Sequence, residues 1–132
     1  MLNLKKIIFY LIFLSHNLNA NEKQFVVIIP SYNNKKWYKQ NLDSVLHQKY
    51  NNFRAIYIDD NSPDGTGNLV EQYLKQKDSK KIFTLIKNTE RKKAFANLYY
   101  AIHSCNPNEI VVTVDGDDFL KDQNVLKYLN EV

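Results

Sequence analysis

Cysteine is almost absent: Cys105 stands alone in the 132-residue chain, so no disulfide can form within it. Near the end of a predicted helix, it reads as a small packed side chain rather than a nucleophile. Glycine is scarce too, with three in all. No G-x-G-x-x-G follows the first strand and no G-x-x-x-x-G-K-[ST] occurs anywhere, which excludes the common glycine-rich phosphate cradles. Gly65 and Gly67 form only a turn, with N–H groups exposed at a helix start. No Asn-x-Ser/Thr sequon is present, since Asn61-Ser62 runs into Pro63 and Asn88-Thr89 into Glu90. Nor is there a low-complexity stretch or linker. The formal charge of +4 includes Lys5 and Lys6, and the remaining lysines are scattered without a stripe of interleaved aromatics. That argues against nucleic acid as a partner.

The chain has room for one domain. Its first twenty residues carry the export-signal pattern: Lys5-Lys6 as a positive start, the apolar run Ile7–Leu14, and a small-residue exit at Leu18-Asn19-Ala20. The run is too short to cross a bilayer of ~30 Å as a helix. A buried first helix is the plain alternative, but no polar face recurs at helical spacing. The expected division is a signal peptide over residues 1–20 and a domain over 21–132. The expected location is outside the cytoplasm or in a secretory lumen. The alternative is association with the membrane through this segment, facing the cytoplasm.

Four strand-then-helix units follow. Phe25–Ile29 reads as the first strand, and Lys35–Gln48 carries Tyr38, Leu42, Val45 and Leu46 on one helical face. Phe53–Ile58 is the second strand, before a helix over Asn68–Lys77. Ile82–Ile86 is the third, and Lys92–Ser104 is predicted as a helix with Phe95, Leu98, Ala101 and Ile102 inward. Ile110–Val114 is the fourth, and Asp122 is expected to N-cap a last helix bearing Val125, Leu126 and Leu129. Repeated βα units give an α/β fold, a parallel sheet with helices on both faces. Strand order 3-2-1-4 puts the switch point between the first and fourth strands, where such sheets bind ligands at the carboxyl edge.

The strand ends are chemically unusual. Ile110–Val114 runs into Asp115-Gly116-Asp117-Asp118, three carboxylates in four positions. Such crowding costs repulsion and desolvation unless a cation or a hydrogen-bonded ligand joins it. Mg2+ or Mn2+, arriving with a substrate phosphate, is the natural counter-ion. An acidic surface turn is the plain alternative. The second strand ends similarly at Asp59-Asp60-Asn61-Ser62-Pro63-Asp64-Gly65, and the first at Pro30-Ser31-Tyr32-Asn33.

These motifs in order, together with Asn88 through Ile102, resemble the N-terminal, donor-binding half of a family 2 glycosyltransferase. The resemblance covers roughly residues 24–130 and implies a Rossmann-like GT-A fold. It also implies metal-dependent inverting transfer of a sugar from a nucleotide donor, UDP foremost, to an unknown glycan, lipid or protein acceptor. By the same resemblance Pro30 and Tyr32 line the base pocket, and Asp60 accepts a hydrogen bond from the base imide. Asp115-x-Asp117 is the D-x-D element, with Asp115 toward the ribose or sugar and Asp117 on Mn2+ or Mg2+. Asp118 stands behind them, and Lys93 is the expected cation near the phosphates. Family members continue through an acceptor pocket and a catalytic base, so this chain reads as the N-terminal part of such an enzyme. The alternative is a nucleotide-sugar-binding fragment or pseudoenzyme.

Other acid-bearing patterns fit less well. Gly116-Asp117-Asp118 alone cannot build an RNA polymerase, and Phe119 breaks a phosphatase D-x-D-x-[TV]. Leu126 stands where an EF-hand needs its bidentate Glu. A response-regulator receiver places its acid pair after the first strand, where this chain has Pro30-Ser31-Tyr32.

Overall fold

The computed structural model describes residues 22–132; the export signal expected over residues 1–20 lies outside them. Among the described residues, the strands β1 (Gln24–Ser31), β2 (Phe53–Asp59), β3 (Phe83–Lys87) and β4 (Glu109–Thr113) form one sheet of order β3-β2-β1-β4. All three pairings are parallel, with Val27 opposite Ala55 and Val112, and Tyr57 opposite Leu85. The helices between and after the strands are α1 (Tyr38–Leu46), α2 (Thr66–Lys77), α3 (Lys93–His103) and α4 (Val125–Glu131). No described helix is long and apolar enough to cross a membrane.

The period of two along a strand sorts the core into two layers. Val27, Ile29, Ala55 and Tyr57 meet Leu42 and Val45 of α1, Val70 of α2 and Leu126 of α4. Val26, Ile28, Ile56 and Ile58 meet Ala101 and Leu98 of α3 on the other face. Helices on both faces explain why β1 reads as an unbroken apolar run, since neither side of it sees water. At the amino edge, Arg54 of β2 donates to Glu109 of β4 from Nε at 2.7 Å and from a terminal nitrogen at 2.9 Å. The Arg54 bonds, opposed by burial and aided by the Asn106 N–H, hold the Glu109 carboxyl at about 2.

Three local expectations are corrected. The first helix starts at Tyr38 rather than Lys35, because the Trp37 and Tyr38 N–H groups both return to the Asn34 carbonyl in a turn. Asp122 does not cap α4; it accepts from the Asn124 N–H at 2.8 Å, a local turn that delays the helix to Val125. On α3, Leu98 packs and Ala101 is buried as expected, but Phe95 is 83% and Ile102 43% exposed. The inward stripe is instead Asn97 and Ala101, turned so that a polar side chain reaches the sheet's carboxyl edge.

Candidate functional site

At that edge lies a cleft of about 230 Å³. Pro30, Ser31, Tyr32 and Asn34 after β1 form one wall, Ala94 and Asn97 of α3 another, and Asp60, Asp115, Gly116 and Asp117 the rest. Five of the residues expected at a nucleotide site, Pro30, Tyr32, Asp60, Asp115 and Asp117, therefore share one crevice at the predicted switch point.

The two neighbouring acids at the end of β2 separate by strand alternation. Asp59 turns toward the start of α2, where a Cβ on Gly67 would stand 2.6 Å from its Oδ2. That contact explains the glycine. Asp60 turns into the cleft and is 2% exposed. Its Oδ1 accepts from Asn88 Nδ2 and from the Lys92 N–H, both at 2.8 Å, and its Oδ2 from the Lys93 N–H at 2.8 Å. Burial pushes the Asp60 carboxyl up, but the bonds from Lys92, Asn88 and Lys93 outweigh it and leave the group below the usual carboxylate range. An ionised carboxylate at this position is an acceptor only.

Lys93, expected as a cation near the phosphates, meets the site through its backbone. Its N–H holds Asp60 and its backbone sits in the left-handed region at φ +68°, while the α3 part of the cleft wall comes from Ala94 and Asn97. The cation that meets a site residue is Arg91, whose guanidinium carbon stacks 3.8 Å above the Tyr32 ring centre.

The acidic loop after β4 is exposed at Asp115, Asp117 and Asp118 but anchored through its backbone. The Gly116 N–H donates to the Pro30 carbonyl at 3.0 Å, and the Asp118 N–H closes a turn on the Asp115 carbonyl at 2.9 Å. Gly116 presses onto the end of β1: a Cβ there would meet Ser31 Oγ at 2.6 Å and collide with the Asn34 amide. Ser31 is itself fixed, accepting from the Tyr57 hydroxyl at 2.8 Å and from Asn34 Nδ2 at 3.0 Å. The glycine thus lets two carboxylates flank a backbone that lies flat on β1. Among the described residues no three His, Cys, Asp or Glu side chains converge into a metal cage. Two carboxylates on an open cleft suit Mg2+ or Mn2+, which take one or two protein carboxylates and complete their shell with phosphate oxygens and water.

A family model described as Glycosyl transferase family 2 matches residues 26–132. The chain belongs to this family. As a family 2 chain it is 26% identical over 99 residues to glycosyltransferase GlyG of Streptococcus pneumoniae, a match covering 75% of this chain and 32% of GlyG. The structure of S. aureus TarS 1-349 in complex with UDP-GlcNAc superimposes with a TM-score of 0.70 at 26% identity, covering 82% of this chain and 30% of that one. Mannosyltransferase PcManGT from Pyrobaculum calidifontis, in complex with GDP-Man and Mn2+, gives 0.71 at 25% identity, covering 81% and 31%. This family 2 chain spans about a third of the lengths it matches.

Sequence reasoning did not assign Asn34, Asn88 or Asn97 to the cleft and its supports. Asn97 carried a signal: it breaks an inward stripe one turn before Ala101, and a polar residue there needs a partner. It finds one in Asn88, whose Nδ2 donates to Asn97 Oδ1 at 2.8 Å.

Proposed function

We propose that this chain holds the nucleoside diphosphate of a sugar donor, with UDP preferred, for metal-dependent inverting transfer to an acceptor hydroxyl. The observation that carries this reading is the convergence of Tyr32, Asp60, Asp115 and Asp117 on one cleft at the sheet's carboxyl edge. Pro30 and the face of Tyr32 that Arg91 does not cover offer flat apolar surface to the base. Asp60 offers an acceptor, and its state of occupation bears on the base. A carboxylate has about four acceptor sites, and three at Asp60 already serve Asn88, Lys92 and Lys93. Asn97 also acts on this carboxylate, so at most one site is left, which suits the single imide N–H of uracil. Guanine would bring two adjacent donors, and cytosine would point an acceptor at the carboxylate.

Asp115 and Asp117 would hold Mn2+ or Mg2+, which when bound neutralises the diphosphate as it departs. The chain's own part is to fix the base at one end of the cleft and the carboxylates at the other. The acceptor oxygen, its proton passing to a base outside the residues that line this cleft, would then attack the anomeric carbon as the bond to the diphosphate oxygen breaks. A second reading, donor binding without turnover, is favoured by the acids lining the cleft. Asp60 is held by three hydrogen bonds, Asp115 and Asp117 serve the metal, and no other lining residue could take the acceptor proton.

Calorimetry with UDP, GDP and CDP in Mn2+ tests the base assignment. One charge-assisted hydrogen bond is worth roughly 1.5–3 kcal/mol, so UDP should bind about tenfold or more tighter than the other two. Equal affinities would defeat the Asp60 role.

A further inference from the structure

A second polar set lies on α1, away from the cleft wall. Asn41 and Ser44, with Gln48 just past the helix end, fall at i, i+3 and i+7, on one face of the helical turn. Each of the three bonds to the backbone of the segment after β4. Asn41 Nδ2 donates to the Asp115 carbonyl at 3.1 Å and to the Asp118 carbonyl at 2.8 Å. Ser44 Oγ accepts from the Leu120 N–H at 3.1 Å. Gln48 Nε2 donates to the Asp122 carbonyl at 2.6 Å, while its Oε1 accepts from the Leu126 N–H at 3.0 Å.

Asn41 is the member that reaches the acidic turn, and it is 0% exposed. Both of its amide hydrogens go to the carbonyls that bracket Asp115–Asp118, and its Oδ1 is left without a partner. The reverse amide orientation would set an oxygen against two carbonyl oxygens, so the loop dictates the orientation. An unpaired buried acceptor is tolerated here for the sake of two bonds to one turn. Inside the apolar stripe of Tyr38, Leu42 and Val45, no packing requirement calls for an amide.

We propose that Asn41 is a positioning residue for the donor diphosphate: it fixes the Asp115–Asp118 turn so that both carboxylates are presented to the metal-bound phosphates. Ser44 and Gln48 continue the same clamp along the segment leading to α4. This inference rests on the functional reading above, but the clamp has a ligand-free signature as well. Base recognition, which uses Tyr32 and Asp60 on the other side of the cleft, should not depend on it.

The test uses Asn41→Leu, which keeps the branched outline, though with larger methyl groups, and removes both donors. Titrations of uridine and of UDP with Mn2+ are compared for wild type and variant, with amide hydrogen exchange followed in the absence of ligand. The clamp predicts that uridine affinity is unchanged and UDP–Mn2+ affinity falls about tenfold, the order expected for losing well-placed hydrogen bonds. It also predicts faster exchange at Gly116 and Asp118, with the β1 and β2 amides unaffected. Equal weakening for uridine and UDP, or unchanged exchange at the turn, would overturn it. Should Asn41→Leu fail to fold, Ser44→Ala removes one hydroxyl without repacking; there the clamp predicts faster exchange at Leu120 and a smaller loss confined to UDP. A wild-type chain that binds neither ligand would defeat the functional reading, while the exchange result would still decide whether Asn41 holds the turn.

Discussion

Replacing Asp60 by Asn should destabilise the free protein as well as weaken donor binding, because the carboxylate is a hub before any ligand arrives. The asparagine oxygen can still accept from Asn88 and Lys92, but its NH2 group would then face the Lys93 N–H, donor against donor. One charge-assisted bond is lost, roughly 1.5–3 kcal/mol, and the two that remain become neutral and about half as strong. A total of about 3–6 kcal/mol is expected, or about 12 °C or more in melting temperature for a domain of this size. Lys93 sits at φ +68°, a conformation costing a non-glycine residue roughly 1–2 kcal/mol, and its bond to Asp60 holds it there. Its release should therefore be local first, seen as faster hydrogen exchange at Lys92 and Lys93. Since the folded Asp60 carboxyl titrates below its ordinary value, its stabilisation is present at neutral pH. It fades as pH falls through and below about 4, and the difference between wild type and variant should shrink with it. Urea unfolding at pH 7 and pH 3, with exchange measured at pH 7, provides the data. Stability within about 0.5 kcal/mol of wild type at pH 7, the scatter of neutral surface changes, would refute the hub.

Glu109, with its carboxyl held at about 2 by Arg54, should contribute stability that is complete above its unfolded value of about 4.3 and is lost as pH falls toward 2. Glu109→Gln should flatten that part of an acid-unfolding curve. Arg54→Ala leaves the Glu109 side chain, which is 0% exposed, without its partner and should cost about 3–5 kcal/mol in denaturant unfolding. Gly116→Ala must push against Ser31 and Asn34, for an overpacking cost of about 1–3 kcal/mol and a displaced acidic turn; melting and UDP binding should both fall. If residues 1–20 are an export signal, N-terminal sequencing of the expressed protein should begin at Asn21, whereas an intact Met1 on a membrane-bound chain would favour an anchor.

The strands β1 and β2 were legible because apolar runs buried on both faces have no other good use, and the strand order followed from handed βα crossovers. The acid motifs at the strand ends were legible because their charge makes little sense in plain turns. Which of Asp59 and Asp60 faces the cleft is a matter of strand alternation, and family resemblance and pleat agree on Asp60. Less was readable where polar side chains support the site from behind. Asn41 and Asn97 interrupt apolar stripes at helical spacing, but that spacing does not show which distant backbone or amide they meet. The partners of Asn41 lie more than seventy residues away. Lys93 is expected near the phosphates from the resemblance; the bond of its backbone N–H to Asp60 was not readable, since every residue but proline possesses that group. Phe95 and Ile102 were placed inward from a period that fits two faces of α3, and the buried Asn97 resolves which face packs.

The central claim is that the Asp115–Asp118 turn receives a metal-bound nucleoside diphosphate. A thermal-shift titration of wild type and Asp117→Asn with UDP, in Mn2+ and in EDTA, tests it most directly. Ligand at a hundred times its dissociation constant stabilises the fold by about 2.7 kcal/mol. Wild type should therefore melt about 10 °C higher with UDP and Mn2+ and hardly shift in EDTA. Asp117→Asn should fold normally and respond weakly and equally in both. Equal UDP-induced shifts for wild type with Mn2+ and with EDTA would contradict the claim.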